Sequence, residues 1–245
     1  MSPLTRPICL SVGGSDSCGG AGIQADLRVF EARHVQGLSA TTALTAQNPV
    51  TISRIEAVSL AQLDAELHTL FDYYDISVVK TGMLVDAEHV ALISALLQQR
   101  HRGLLVVDPV MISSSGKPLL DAGGVDALKH ALLPLATLMT PNLDEAAALL
   151  GEAVAHPVDA AKKLVDQFGC AVLLKGGHGD GDALLDLLCD RDGNIVEFSH
   201  ARQPWSVDQS HGTGCRLAAA VAAALASGDS LAPAIEKSVH FLQVS

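Results

Sequence analysis

Five short apolar runs, each closing on residues with usable chemistry, constrain this chain more than any other feature. Ile8 to Val12 leads into Gly13-Gly14-Ser15-Asp16, and Ile76 to Val79 into Lys80-Thr81-Gly82-Met83. Leu104 to Val107 leads into Asp108-Pro109, Ala136 to Met139 into Thr140-Pro141-Asn142, and Ala171 to Leu174 into Lys175-Gly176-Gly177. Runs this short and apolar on both faces predict buried parallel strands, because a strand covered on both sides keeps no polar alternate positions. Helical patterns lie between and after them: Ala21 to Arg33, Leu60 to Tyr73, Ala87 to Gln99, Val125 to Leu133, Asn142 to Leu150, Asp159 to Phe168 and Leu231 to Leu242. Strand–helix alternation of this kind specifies a three-layer α/β/α sandwich around a mostly parallel sheet. Ligands of such sheets sit beyond the carboxyl ends of the strands, where all five polar segments fall.

Two stretches break the alternation. Leu38 to Gln47 and Ile52 to Val58, around Asn48-Pro49, predict an extra strand pair or a lid-like extension. Leu184 to Cys189 and Ile195 to Ser199, around Asp190-Arg191-Asp192-Gly193-Asn194, predict an antiparallel hairpin. With 245 residues and no linker, the chain is read as one domain over 1–245. Apolar residues make up 49% and aromatics only 3%, so the core is expected to be built of Ala, Leu, Val and Ile.

The net charge of -11 argues against a nucleic-acid or anionic-membrane surface. It leaves room for a phosphorylated ligand, since local amides and one lysine outweigh the global sign. The five cysteines include no Cys-x-x-Cys pair, which speaks against a disulfide framework and for a reducing cytoplasm. No signal-peptide pattern and no run of roughly 18 apolar residues are present. No His pair has metal-ligand spacing, so no zinc is assigned.

The most pointed local feature is Gly212-Thr213-Gly214-Cys215, opening into an alanine-rich helix from Ala218 to Leu225. The first amides of a helix lack internal partners and cradle anions in the positive end of its dipole. The same field is expected to favour the Cys215 thiolate. Gly13 to Gly22 forms a first glycine-rich candidate ligand loop, without the third glycine of a dinucleotide fingerprint. Asp26 and Gln47 together have the donors and acceptors to pair with a heteroaromatic ring. Asp108 and Glu145 offer hard oxygens suited to Mg²⁺ beside phosphates, although Asn142-Leu143-Asp144-Glu145 also fits a helix start. Lys175, before two glycines, can neutralise a phosphoryl group. His178 and His211 are ordinary polar contacts or phosphate ligands. No nucleophile elbow or P-loop is present, and Ser113-Ser114-Ser115-Gly116-Lys117 is read as a mobile flap.

In order along the chain, eight segments resemble one family. They are Gly13 to Asp16, Gly19 to Leu27, Thr42 to Asn48, Lys80 to Leu84, Asp108 to Met111, Thr140 to Ala146, Lys175 to His178 and His211 to Cys215. The chain is similar to the hydroxymethylpyrimidine and phosphomethylpyrimidine kinases of thiamine biosynthesis, within the ribokinase-like superfamily. The resemblance implies ATP-dependent phosphorylation of 4-amino-5-hydroxymethyl-2-methylpyrimidine and then of its monophosphate. It places Gly13, Asp26, Gln47, Met83 and Val110 around the aminopyrimidine and Asp108 and Glu145 at Mg²⁺. Asn142, Lys175 and Thr213 then meet ATP, while Gly212, Thr213, Gly214 and Cys215 form the anion hole, with Cys215 taking the hydroxyl proton. It implies a cytoplasmic homodimer. Vitamin B6 (pyridoxal) kinases are close relatives and stand as the nearest alternative, followed by a catalytically weak pyrimidine-binding regulator. Cys18, where the family commonly has serine, and Arg216, where a small hydroxyl residue is usual, depart from the pattern.

Overall fold

The computed structural model describes residues 6–113, 116–176 and 183–244. Among the described residues, nine strands form one continuous sheet in the order β3-β2-β1-β4-β5-β6-β7-β8-β9. The strands are β1 (Ile8–Asp16), β2 (Gln36–Gln47), β3 (Ile52–Ala57), β4 (Val78–Thr81), β5 (Leu104–Val107), β6 (Leu138–Met139), β7 (Ala171–Leu174), β8 (Ala183–Cys189) and β9 (Ile195–Ala201). Strands β2, β1, β4, β5, β6 and β7 run parallel. The expected additions are present: β3 pairs antiparallel with β2, and β8 and β9 form an antiparallel hairpin extending from β7.

The helices are α1 (Gly22–Ala32), α2 (Leu60–Tyr73), α3 (Ala87–Arg100), α4 (Ala122–Ala127), α5 (Leu143–Leu150), α6 (Pro157–Phe168), the single turn α7 (Val207–Ser210), α8 (Thr213–Ala226) and α9 (Leu231–Val244). Most follow the periodic pattern to within a residue or two. The exception is the stretch predicted as one helix from Val125 to Leu133. There α4 widens into a π turn at Leu128–Leu132 and tightens into a 3-10 turn at Leu133–Leu135. Pro134 has no amide to give, so a regular ladder cannot continue through it.

Alternate strand residues face two cores. Val79, Leu105, Val107, Met139 and Val172 pack against α2, α3, α5 and α6. Cys9, Val78, Val106, Leu138 and Ala171 pack against α1, α8 and α9. In α8 every side chain from Leu217 to Leu225 is buried, the expected fate of a helix apolar all the way round. Its alanines let it lie close to the strands with little rotamer entropy lost. Among the described residues, no helix is long and apolar enough to cross a membrane.

The chain runs from β1 outward to β2 and β3, then returns to place β4 on the other side of β1. That reversal opens a crevice at the carboxyl ends of β1 and β4, where open α/β sheets bind ligands. One expectation needs correcting here. Gly13 to Asp16 are not part of a loop, because they continue β1 and pair with Thr41 to Thr45 of β2 across a register shift. The glycine-rich turn is confined to residues 17–21.

Filling α8 should be costly. Ala220→Leu forces extra carbon into a fully buried site and should lower stability by about 1–3 kcal/mol, read as a lower urea midpoint at unchanged m-value.

Candidate functional site

Two helix N-termini from opposite ends of the chain meet at the crevice. At α8, Gly212 is the N-cap in the left-handed region (φ 78°), and a Cβ there would lie 2.1 Å from the carbonyl oxygen of Gly20. At α1, Gly22 (φ 59°) would put a Cβ 2.3 Å from the Gly14 carbonyl oxygen. Only glycine fits either position. The Gly22 amide is among the groups that lower the Cys215 pKa, so both N-termini act on one sulfur. Within α8 the amides of Thr213, Gly214 and Cys215 precede the first intrahelical bond, from the Arg216 amide to the Gly212 carbonyl.

One cavity contains nearly all of the residues singled out by sequence. Gly13, Asp26, Gln47, Met83 and Val110 line it together with Asp108, Asn142, Glu145, Lys175, Gly212, Gly214 and Cys215. Thr213 faces an adjoining cavity shared with Asn142, Lys175 and Gly214, walled by Asp186, His200 and Trp205. The residues expected around the ring and those of the amide nest thus open onto one space, with a second chamber behind Lys175. His178 lies outside the described residues, as do Ser114 and Ser115 of the proposed flap.

A line of buried charge crosses the cavity floor. Lys80, 1% exposed, places Nζ 2.8 Å from Asp26 Oδ2 and 3.1 Å from Oδ1. The Ser11 hydroxyl donates to Asp26 Oδ2 at 2.6 Å. Further along, Lys175 Nζ donates to Asp108 Oδ1 at 3.0 Å and sits 3.9 Å from Glu145 Oε2. The Thr140 hydroxyl donates to Asp108 Oδ1 as well, at 3.0 Å. Glu145 is held by a capping box: its carboxylate accepts from the Asn142 amide, while Asn142 Oδ1 accepts from the Glu145 amide. Capping and lining the cavity are therefore both true of Glu145.

Burial alone would strip the proton from Lys80, but Asp26, followed by Cys215 and Asp108, raises its pKa and keeps it an ammonium. Burial likewise opposes the charge of Asp108, yet Lys175 and Lys80 hold the carboxyl below its ordinary range. Glu145 goes the other way: burial pushes it up to about 7 against the pull of Lys175.

Cys215 corrects a second expectation. Burial pushes its thiol up to about 11, and Lys80 offsets this only in part. The resting group is a thiol, because desolvation of the sulfur outweighs the field of the helix N-terminus.

Asp26 also differs from its expected setting. It faces the cavity, but both oxygens are already engaged by Lys80 and Ser11, so its charge is balanced before any ligand enters. Lys80 went unassigned as a site residue in the sequence, although a signal existed: a lysine closing the apolar run Val78-Val79 requires a buried carboxylate. Gln47 ends β2, and the Ser17 hydroxyl donates to its carbonyl at 2.9 Å. Met83 is fixed by the Thr42 hydroxyl, which donates to its carbonyl at 2.6 Å. Asp16 and His211 form a pair that sequence gave no reason to join, with Nε2 3.0 Å from Oδ2 across 195 positions.

Two outcomes follow from this geometry. Lys80→Ala leaves Asp26 buried without its cation and should destabilise the fold by about 3–5 kcal/mol, measured by chemical denaturation. Iodoacetamide at mild alkaline pH should modify Cys18, the exposed cysteine, well before Cys215. Peptide mass spectrometry showing Cys215 labelled first would contradict the half-buried, protonated assignment.

Comparison with known proteins is consistent with the geometry. The phosphomethylpyrimidine kinase family matches residues 16–245. The chain is 39% identical over 239 residues to the hydroxymethylpyrimidine/phosphomethylpyrimidine kinase of Haemophilus influenzae, covering 95% of this chain and 88% of that one. The crystal structure of a phosphomethylpyrimidine kinase from Clostridium difficile superposes with a TM-score of 0.83 at 34% identity, covering 97% of this chain and 98% of that chain. A Staphylococcus aureus pyridoxal kinase in complex with AMP-PCP and pyridoxal gives a TM-score of 0.86 at 31% identity, covering 97% of this chain and 87% of that chain.

Proposed function

The chain belongs to the phosphomethylpyrimidine kinase family, and from that membership we propose how its own residues carry out phosphoryl transfer. It is a hydroxymethylpyrimidine/phosphomethylpyrimidine kinase of thiamine biosynthesis with a ribokinase-like fold, and it uses ATP. The single observation that carries the site reading is the shared cavity, in which the residues expected around the pyrimidine face the amides of α8. The continuous nine-stranded sheet supports treating residues 1–245 as one kinase unit, and the family's biosynthetic role supports a cytoplasmic setting.

In this reading the aminopyrimidine lies between Gly13, Met83 and Val110, and the Gln47 carboxamide pairs with ring nitrogen and exocyclic amine. The Asp26–Lys80 pair forms the polar floor and presents a fixed ammonium beside Cys215. The hydroxymethyl oxygen points at the mouth of α8. ATP enters through the adjoining chamber, with its phosphates between Lys175, Asn142 and Thr213. The donor set of Asp108 and Glu145 is all hard oxygen, which fits Mg²⁺, and the two carboxylates would hold it through one or two oxygens and retained waters. A bound Mg²⁺ supplies charge neutralisation on the phosphate oxygens.

Charge builds on the transferring group in a loose transition state, so position and electrostatics outweigh base strength. Amides of Thr213, Gly214 and Cys215 donate to that charge, and Lys175 adds a full positive charge at its side. Nζ of Lys175 is already beside Gly214, 3.3 Å from where a Cβ would stand there. Cys215, a thiol at rest, receives the hydroxyl proton only after giving its own proton to solvent. The Gly22 amide and the Lys80 ammonium lower the free energy of that form against burial.

Incubating the protein with the hydroxymethylpyrimidine and Mg-ATP should yield monophosphate and then diphosphate, with kcat/KM above that for pyridoxal. A pyridoxal preference above about a hundredfold would reassign the substrate. Cys215→Ala should lower kcat much more than it weakens pyrimidine binding by calorimetry. Equal losses in both would make Cys215 a packing residue.

A further inference from the structure

Asp16, Cys18 and His211 converge at the rim of the cavity. Cys18 Sγ lies 3.1 Å from Asp16 Oδ1, and His211 Nε2 lies 3.0 Å from Asp16 Oδ2. One donor atom from each of the three falls within 4.8 Å of the others. The phosphoryl-transfer reading has no use for this thiol: Cys18 is exposed and does not line the cavity, although His211 and Ala21 do. The His211 side chain, by contrast, is only 9% exposed, and its Nδ1 is buried with no hydrogen-bond partner. A turn needing only a cap is already served by Asp16, which accepts from the Cys18 amide at 2.9 Å and the Ala21 amide at 2.8 Å. The sulfur and the imidazole add a soft and a borderline donor to that hard one.

We propose that Asp16, Cys18 and His211 form a binding site for a divalent transition metal of the zinc class, with water completing its coordination. Thiolate, imidazole nitrogen and carboxylate are the donors such ions take. Metal–ligand bonds of about 2.0–2.3 Å set tetrahedral donor atoms roughly 3.3–3.8 Å apart; Asp16 Oδ2 lies 3.4 Å from Cys18 Sγ and 3.0 Å from His211 Nε2, and all three donors fall within 4.8 Å of one another. On binding, the Cys18 thiol gives its proton to solvent and its sulfur pair to the metal. The imidazole binds through the Nε2 lone pair with its proton on Nδ1, and no oxidation state changes. Asp16 has no proton to lose. Burial opposes its charge, but hydrogen bonds from the Ala21 amide, the Cys18 thiol and His211 hold it down at about 2.

The site is distinct from the Asp108–Glu145 pair in chemistry as well as place. A thiolate selects against magnesium and calcium, which prefer oxygen. Sequence spacing conceals it because the third ligand is supplied from the far end of the chain. The exposed Cys18 gives an ion a direct way in. An ion there clasps the glycine-rich turn to the segment that enters α8.

Cobalt(II) titration of the reduced, metal-stripped, full-length protein tests this. The expected result is one equivalent bound, with a thiolate-to-cobalt band in the near ultraviolet and strong tetrahedral visible bands. Zinc should bleach both. Cys18→Ser should abolish the thiolate band and weaken binding at least about tenfold, since even outer-shell changes cost about 10–100-fold in metal affinity. It should leave circular dichroism unchanged, along with pyrimidine turnover on Mg-ATP in protein free of transition metal. Cys215→Ser should keep both bands. A wild-type protein without the thiolate band, or a Cys18→Ser variant that retains it, overturns the site.

Discussion

The buried ion pair between Lys80 and Asp26 is the contact on which the rest of the site depends. A lysine and an aspartate withdrawn from water lose several kcal/mol of hydration each, and only close pairing with further hydrogen bonds restores it. Asp26 stands on α1, Lys80 lies in β4 and Ser11 lies within β1, so the pair ties the first helix to the two strands flanking the sheet's reversal. It also fixes a positive charge close to a sulfur that burial still keeps protonated at rest. Geometry and electrostatics of the active region therefore share one origin. A hydrophobic pair of the same volume could support the fold equally well, but it would leave the cavity floor without charge.

The architecture was written in the sequence because its signals are local. Short apolar runs such as Leu104 to Val107 and Ala171 to Leu174 mark strands buried on both faces, and both are strands over those same residues. The Ser59 and Asp86 caps start α2 and α3 one residue later, each by accepting from an amide three positions on. Where local signals mislead, a long-range partner is responsible. Gly13 to Asp16 have the composition of a loop, yet β2 lies alongside and supplies the ladder that makes them strand.

The site was legible as a set of positions but not as a set of charges. Residues at strand ends and helix starts can be placed in one crevice from topology alone, and Gly13, Asp26, Gln47, Asp108, Lys175 and Cys215 all come together there. Their ionisation cannot be read the same way, since it depends on how much water each group loses. Helix-end reasoning favours a thiolate at Cys215, but desolvation of a sulfur enclosed by α1 and α8 is the larger effect. For Asp26 the linear chain shows its place in the cavity but not the Lys80 ammonium and Ser11 hydroxyl that balance its charge there.

The meeting of α1 and α8 has a bearing on biosynthesis as well as chemistry. Asp16 and His211 touch across 195 positions, and Gly212 seats against Gly20 with no room for another atom. While the chain is being made, its first half can pair strands and bury much of one core before the closing element has left the ribosome. No pocket with both walls exists until then. Competence arrives late and all at once, so a prematurely terminated product resembles the finished molecule in most of its sheet and yet holds no nucleotide or pyrimidine in working order.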